Sequence, residues 1–228
     1  RVYVGMRNWR PFIQDTVQQM VRDGLQRVIA LSLAPQYSQL SVGAYEQAMA
    51  RAQASLGVSL DVRCVASWHD HPLLSQAFAE KIQEALDRLP RGAGAHVHPI
   101  FTAHSLPERV LAEGDPYAAE VEETARGVAA LMGFTEWDLA YQSQGATAEP
   151  WLGPTLEAVL QRCAARGQHQ VLVVPIGFVC DHMEILYDLD IVAQRIAQEQ
   201  GLSLTRTASL NTSPRFIEAL ADVIQGYV

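Results

Sequence analysis

Ionisable side chains follow two apolar segments of the sequence. Asp181, His182 and Glu184 come directly after "VLVVPIGFVC", and Asp188 lies four residues beyond Glu184. His104 stands near the end of a second apolar segment, "HVHPIFTAHS". The spacing of Glu184 and Asp188 places both carboxylates on one face of a helix. Imidazole and carboxylate groups together suit proton transfer near neutral pH or the binding of a divalent transition metal, and the residue types leave both chemistries open.

Each of these residues, taken alone, also has a structural interpretation. Asp181 is suited to cap the helix that follows it, and Glu184 in the first turn would stabilise the helix dipole. A single histidine at a strand end, such as His104, is most often a hydrogen-bonded surface residue. His96 and His98 alternate on one strand face, but no third ligand lies near them in sequence, so a structural role is favoured over a metal site.

Short β-branched segments alternate with amphipathic segments along the whole chain. The predicted strands are "VYVG", "RVIALSLA", "DVRCVASW", "HVHPIFTAHS", "DLAYQS", "QVLVVPIGFV" and "LSLTRTASL". A predicted helix follows each of them, and residues 183–201 are predicted as one continuous helix. This alternation predicts an α/β fold of parallel sheets flanked by helices. The polar, glycine-containing stretch "LPRGAGA" predicts a boundary between a first lobe over residues 1–93 and a second over residues 94–228.

The predicted elements place the ionisable residues where an α/β fold binds ligands. In open α/β sheets, ligands bind beyond the carboxyl ends of the strands. Asp181, His182 and Glu184 lie at that end of one predicted strand, and His104 lies at that end of another. Because parallel strands share one carboxyl edge, we expect the four residues to form a single site.

Composition excludes several classes of protein. Of the 228 residues 49% are apolar and 18% charged, which argues against disorder. The formal charge of −8 and the lack of a basic run give no footprint for nucleic acid. No apolar run reaches the roughly 18 residues of a membrane-spanning helix, and no signal peptide is recognisable. Three widely spaced cysteines fit a reducing, cytoplasmic compartment and cannot by themselves supply a four-cysteine iron–sulfur cluster. No G-x-G-x-x-G follows a predicted strand, which disfavours a nucleotide-binding Rossmann enzyme.

Six blocks of sequence closely resemble the ferrochelatase family, in the family's order. They are "VGMRNWRPFI", "LAPQYSQLSVGAY", "FTAHSLPE", "GDPYAAEV", "YQSQGATAEPWLGPTLE" and "VLVVPIGFVCDHMEILYDLDI". The resemblance covers essentially the whole chain. It implies a lyase that inserts Fe²⁺ into a porphyrin, either coproporphyrin III or protoporphyrin IX, in haem biosynthesis. It also implies two Rossmann-like lobes, each a parallel sheet flanked by helices, with a porphyrin cleft between them.

The resemblance also implies roles for individual residues. His104 is implied as metal ligand and acceptor of pyrrole protons, with Glu184 facing it across the cleft and Asp188 as a further metal-binding carboxylate. The implied supporting residues are Asp181, His182 and Ser105, and the implied porphyrin-binding residues are Tyr37, Ser38, Gln142, Ser143 and Trp151. Porphyrin and ferrous iron are the implied partners. Iron is a substrate rather than a prosthetic group, and no iron–sulfur cluster is expected.

Two features depart from the family pattern. Val192 stands where the family continues its acidic row, so no metal path beyond Asp188 is implied. Family members also carry about eighty to ninety further residues ahead of "VYVGMR", so the chain is expected to be a fragment or a short form. A separate N-terminal segment is therefore a candidate partner. A peripheral membrane surface and a haem acceptor are further candidate partners. The alternative hypothesis is a non-catalytic porphyrin- or haem-binding protein of the same fold.

Overall fold

The computed structural model describes residues 1–90 and 97–228. These residues form two compact units. The first unit consists of Arg1–Trp68 and Asp222–Val228, and the second of His69–Ala221. The predicted α/β fold, with parallel sheets flanked by helices, is confirmed. Within the described residues, no helix combines the length and the apolar character needed to cross a membrane.

The division between the units differs from the boundary predicted after residue 93. That boundary falls among residues 91–96, which lie outside the described part of the chain. The compact units divide earlier, between Trp68 and His69. The physical reason is that helix α3 (Pro72–Leu86) packs against helix α5 (Tyr117–Met132) and so belongs to the second unit.

The first unit contains a two-stranded parallel sheet. Its elements are α1 (Ile13–Arg22), β1 (Arg27–Leu31), α2 (Val42–Leu56) and β2 (Asp61–Val65). Helix α1 packs against α2, and Val17 and Met20 of α1 are buried in the core of this unit. The prediction of a strand at "VYVG" is wrong, because these residues pair with no neighbouring strand in the described chain and Val2 is almost fully exposed.

The second unit contains a four-stranded parallel sheet. In addition to α3 and α5 its elements are β3 (Val97–His104), α4 (Arg109–Ala112), β4 (Asp138–Gln142), α6 (Leu156–Ala165), β5 (Gln170–Val174), α7 (Met183–Tyr187), α8 (Gln194–Glu199), β6 (Ser203–Arg206) and α9 (Pro214–Gln225), whose last turn belongs to the first unit. Strands β3 and β5 are buried along almost their whole length. Burial on both faces is typical of parallel strands covered by helices, and it explains their near-continuous apolar sequence.

The strand order of the second sheet creates a switch point between its two central strands. The order is β4-β3-β5-β6, with every neighbouring pair parallel. The chain leaves β3 toward β4 on one side and leaves β5 toward β6 on the other side. Adjacent strands whose connections diverge in this way leave a crevice at their carboxyl ends, where α/β proteins bind ligands. The last residue of β3 is His104.

The helix predicted over residues 183–201 is interrupted. Helix α7 ends at Tyr187, a π-helical segment spans Asp188–Ala193, and α8 continues from Gln194. A π-helical turn holds more residues than an α-helical turn, so the spacing that predicts one continuous face no longer applies beyond Asp188. Such segments occur frequently at functional sites.

A glycine allows the ends of β3 and β5 to approach each other closely. The amide of Gly177, just beyond β5, donates to the carbonyl of Thr102 at 3.1 Å. A β-carbon placed on Gly177 would lie 2.8 Å from both the Cα and the Cβ of Ala103. This distance is shorter than carbon atoms tolerate, and the obstacle is partly backbone, so the contact requires glycine.

We therefore expect Gly177→Ala to destabilise the protein by about 1 to 3 kcal/mol, the usual range for overpacking a tight interior contact. Chemical denaturation monitored by circular dichroism measures the change. Gly226→Ala is the matched control, because its added methyl group would make only an ordinary contact, 3.5 Å from the carbonyl oxygen of Val223. Equal stability of the two variants would show that the strand ends can separate without loss.

Candidate active site

The structure brings together the two residues that sequence analysis placed at different strand ends. Nε2 of His104 lies 3.5 Å from Oε1 of Glu184, and the two side chains are 35% and 51% exposed. His104 is the last residue of β3, and Glu184 is in the first turn of α7. An imidazole and a carboxylate at this distance, both open to solvent, can share a proton or bind the same cation.

The hydrogen bond of the other ring nitrogen orients the His104 imidazole. Nδ1 lies 2.5 Å from the carbonyl oxygen of Ser105. A carbonyl oxygen only accepts, so Nδ1 carries the proton and donates it. In the neutral ring, Nε2 therefore presents its lone pair toward Glu184. This arrangement, with one nitrogen bonded to a backbone carbonyl and the other free to act, is the one found in metal-binding histidines.

Buried hydrogen bonds hold the strand end that carries His104. Ser105 is fully buried, its hydroxyl donates to the carbonyl of Leu152 at 2.8 Å, and its amide donates to the carbonyl of Gln142 at 2.7 Å. The hydroxyl of Tyr117 donates to the carbonyl of His104 at 2.9 Å. Burial raises the pKa of Tyr117 well above its usual value, so this donor keeps its proton. The backbone on both sides of the imidazole is thereby fixed.

His104 and His182 share an aromatic neighbour, Phe178. The ring centroid of Phe178 is 6.2 Å from that of His104 and 5.6 Å from that of His182, with both ring pairs tilted. His182 is the N-cap residue of α7, although its side chain makes no capping hydrogen bond. Phe178 is almost fully buried, so it offers each imidazole an apolar neighbour.

Asp181 is held by a network of polar partners rather than capping α7. Its carboxylate accepts from the Ser209 hydroxyl at 2.9 Å and from the Asn211 amide at 2.8 Å, and Nη1 of Arg206 lies 3.7 Å away. Burial by itself would raise the pKa of Asp181, but these hydrogen bonds and the guanidinium outweigh it and lower that pKa. The structural interpretation of Asp181 as an N-cap is therefore wrong, because His182 occupies the cap position.

The remaining carboxylates of the segment have different partners. Asp188 accepts a very short hydrogen bond from the hydroxyl of Ser143. Ser143 has a positive φ of 61°, a left-handed conformation that strains a residue other than glycine and is often found at functional sites. Asp190, two residues further along the π-helical segment, forms a bidentate pair with Arg206 on β6 at 2.5 and 2.9 Å. The acidic row thus does not continue in a straight line beyond Asp188.

The other residues predicted to bind a porphyrin are found in both units. Gln142 pairs in register with His104, and both polar atoms of its side chain are buried without a hydrogen-bond partner among the described residues. The indole N–H of Trp151 donates to Thr147 at 3.2 Å, and its ring packs against Gly145, where a β-carbon would lie 2.6 Å from it. In the first unit, Tyr37 and Ser38 precede α2.

Tyr37 and Ser38 shape the loop before α2. The carbonyl of Ser38 accepts from the amides of Ser41 and Gly43 at 3.1 and 3.0 Å. A β-carbon on Gly43 would lie 2.9 Å from the Tyr37 hydroxyl. These contacts give both residues a local structural role, and their assignment to porphyrin binding stays a prediction.

Sequence analysis missed the residues that position the site from elsewhere in the chain. Arg206, Ser209 and Asn211 hold the segment after β5, Tyr117 bonds the backbone of His104, and Phe178 contacts both imidazoles. Short-range patterns could not identify them, because serine, asparagine and arginine after a strand are common in loops. Their roles depend on which strand end lies beside which, which only the tertiary structure decides.

Both the family model and the curated relatives that match this chain are ferrochelatases. The family model described as ferrochelatase matches residues 1–227. A ferrochelatase from Herpetosiphon aurantiacus is 44% identical over 226 residues, which cover 99% of this chain and 74% of the relative. A coproporphyrin III ferrochelatase from Anoxybacillus flavithermus is 37% identical over 229 residues, which cover 100% of this chain and 72% of the relative. None of these comparisons favours the alternative hypothesis of a non-catalytic binding protein.

Solved structures of low sequence identity share the fold. The structure of SirB from Bacillus subtilis with Fe³⁺ aligns with a TM-score of 0.70 and 11% identity, covering 95% of this chain and 77% of that chain. A complex of the sirohydrochlorin chelatase SirB with cobalt aligns with the same TM-score at 12% identity, covering 98% of this chain and 79% of that chain. At such identities the likeness supports the chelatase-type α/β fold alone.

The Asp181 network predicts a pH-dependent contribution to stability. Because the folded state lowers the pKa of Asp181, its stabilisation is fully present above the unfolded pKa of about 3.9 and is lost as the pH falls through the folded pKa. We expect Asp181→Asn to lower the free energy of unfolding by about 1 kcal/mol at pH 7, a modest value because the side chain is 34% exposed. Urea unfolding at pH 7 and at about pH 3 tests this. A difference from wild type that does not shrink at the lower pH would contradict the assignment.

Proposed function

The chain belongs to the ferrochelatase family, and from this premise we propose that His104 and Glu184 carry out the insertion of ferrous iron into a porphyrin in haem biosynthesis. The observation that carries the proposal is the 3.5 Å approach of Nε2 of His104 to Oε1 of Glu184 at the switch point of the second sheet. A ferrochelatase is a lyase, and both iron and porphyrin are its substrates.

Insertion requires the porphyrin to lose two pyrrole protons and the iron to lose bound water. His104 is suited to accept the protons, because its hydrogen bond to Ser105 leaves the Nε2 lone pair free. The same lone pair could bind ferrous iron on its way to the macrocycle. The buried hydrogen bonds of Ser105 and Tyr117 hold the ring in place, which reduces the reorganisation needed during the reaction.

Glu184 supplies the negative charge of the site. A carboxylate beside Nε2 can accept the hydrogen bond of the imidazolium that forms when His104 takes a proton, and it attracts a divalent cation. Among the described residues its contact is with His104, so neither role requires an existing ion pair to break. Asp188 is more firmly engaged, because the Ser143 hydroxyl already donates to it. We therefore assign Asp188 a secondary part in metal binding.

Asp181 and His182 are proposed as supporting residues. The partners of Asp181 anchor the start of α7, and His182 and His104 both contact the Phe178 ring. Gln142, Ser143 and Trp151 are proposed to contact the porphyrin, and the assignment of Tyr37 and Ser38 to porphyrin binding stays a prediction. Whether the porphyrin is coproporphyrin III or protoporphyrin IX is decided by comparing turnover on each. The cytoplasmic location and a contact with a membrane surface or haem acceptor stay predictions.

His104→Ala is expected to lower metal insertion by at least about 10²-fold, the usual effect of removing a positioned acid–base group, while leaving the fold intact. Porphyrin absorbance during incubation with Fe²⁺ or Zn²⁺ measures insertion, and circular dichroism measures folding. His169→Ala is the matched control, because this exposed histidine lies next to the amino end of β5. Near-wild-type turnover of His104→Ala would show that the histidine is structural.

Glu184→Gln and Asp188→Asn are expected to differ in effect. Both substitutions keep the size of the side chain and remove its charge. Glu184→Gln should slow insertion strongly, because it removes the carboxylate beside Nε2 of His104. Asp188→Asn should have a smaller effect, because Asp188 is bonded to Ser143 and lies one turn further along. Initial rates at saturating porphyrin compare the two, and equal losses or a larger loss for Asp188→Asn would contradict this order.

Fluorescence titration of free porphyrin separates catalysis from binding in the same variants. If His104→Ala and Glu184→Gln bind porphyrin as wild type does but fail to consume it on adding metal, the two residues act in the reaction. If the wild-type protein also binds porphyrin but does not consume it when metal is added, the result would instead support a non-catalytic porphyrin-binding protein.

A further inference from the structure

A second group of metal-ligand side chains lies at the opposite edge of the same sheet. His98 is the second residue of β3, Asp138 is the first residue of β4, and Cys163 lies in α6. His98 and His104 are separated along β3 by about 20 Å, given about 3.3 Å per residue in a parallel strand. The group is therefore remote from the proposed active site.

The three side chains lie close enough to bind one ion. Nε2 of His98 lies 2.9 Å from Oδ2 of Asp138, and one ligand atom from each of His98, Asp138 and Cys163 lies within 4.8 Å of the others. His98 and Cys163 are buried, and the Asp138 side chain is only 15% exposed. The group thus combines nitrogen, oxygen and sulfur ligands in a sheltered place.

We propose that His98, Asp138 and Cys163 form a binding site for a divalent transition cation of the zinc class. Zinc accepts this mixture of ligands, and three protein ligands leave its fourth position open. Bonds of about 2.0 to 2.3 Å place neighbouring ligand atoms of a tetrahedral ion about 3.3 to 3.7 Å apart. The nitrogen–oxygen separation must therefore widen by a few tenths of an ångström and the sulfur must move inward by up to about 1 Å.

Two arginines donate to the Asp138 carboxylate, and their positions decide which of its oxygens the ion can bind. Nη2 of Arg162 donates to Oδ1 of Asp138 at 3.1 Å, whereas Nη1 of Arg166 donates to Oδ2 at 3.4 Å. An ion bound at Oδ2 leaves the Arg162 bond in place, where it orients the carboxylate as metal-binding carboxylates require. Arg166 competes with the ion for the same oxygen, but its side chain is 57% exposed and can turn into solvent.

An adjacent cavity can supply the fourth ligand. An open cavity of about 600 Å³ is lined by His98, Asp138 and Arg166 together with Gln168. The side-chain oxygen of Gln168 is buried and has no hydrogen-bond partner among the described residues. A water molecule bound to the ion could donate a hydrogen bond to this oxygen. Such a bond would offset the free-energy cost of burying an unsatisfied acceptor.

Other roles for Cys163 fit the structure less well. The side chain is fully buried, so it is not an accessible nucleophile. All three cysteines of the chain are free thiols. A cysteine that only fills the core would not need a histidine and a carboxylate beside it.

Cobalt binding tests the site by its spectrum rather than by enzymatic activity. Co²⁺ alone is titrated into protein that carries His104→Ala and Glu184→Gln, so that the proposed active site contributes little binding. One equivalent should produce a thiolate-to-cobalt charge-transfer band, and Zn²⁺ should displace it. Cys163→Ser should abolish the band, and Cys180→Ser, which alters an exposed cysteine, should leave it unchanged. Absence of the band, or its loss in Cys180→Ser instead, would overturn the proposal.

Two further variants keep the test decisive if Cys163→Ser fails to fold. Asp138→Asn should retain the thiolate band but weaken Co²⁺ binding at least tenfold, because the amide is a poorer ligand. Arg166→Gln should strengthen Co²⁺ binding by removing the competitor at Oδ2. Affinity that is unchanged in both variants would show that Asp138 is not a ligand and would refute the site.

Discussion

The close contact between the ends of β3 and β5 determines the geometry of the proposed active site. The two segments are far apart in the sequence, and the amide of Gly177 joins them through the carbonyl of Thr102. Because no side chain separates Gly177 from Ala103, the loop after β5 runs directly beside the residue that precedes His104. Helix α7 therefore starts close enough for Glu184 to reach the imidazole. A wider separation would leave both residues at the carboxyl edge without contact.

The carboxylates of the segment after β5 are distinguished by their partners rather than by their sequence. Asp181 and Asp190 are bound by Arg206 and its neighbours, and Asp188 is bound by Ser143. Glu184 keeps half of its side chain exposed, beside the Nε2 lone pair of His104. Two hydrogen bonds and the Arg206 guanidinium lower the pKa of Asp181, so its carboxylate is engaged within the segment rather than by a ligand. The arrangement thus fixes the segment through three acidic residues and leaves the fourth available.

Sequence patterns predicted the fold class and the approach of His104 to Glu184, but not the partners that shape them. Apolar strands alternating with helices sufficed for the parallel sheets, since burial on both faces leaves a clear signal in β3 and β5. The strand predicted at "VYVG" does not form, because a β-strand also needs a neighbouring strand for its backbone hydrogen bonds. A pattern of four residues cannot show whether such a neighbour exists. The π-helical segment Asp188–Ala193 was missed because its residues suit an α-helix equally well. Position at a strand end was enough to group His104 with Glu184, whereas the network around Asp181 depends on β6.

The carboxyl and amino edges of the second sheet have different roles. The proposed active site lies at the carboxyl edge, and the proposed cation site at the amino edge would stabilise the sheet. At the carboxyl edge, strand ends diverge at the switch point, and polar groups remain partly exposed toward a ligand. At the amino edge, His98 and Asp138 are packed against α6. The proposed partners of His98 could not be recognised from its sequence neighbours, because Asp138 belongs to another strand and Cys163 to a helix. A cation held there would tie β3, β4 and α6 together at one point. Since β3 also carries His104, such a tie would restrain the strand on which the proposed catalytic histidine depends.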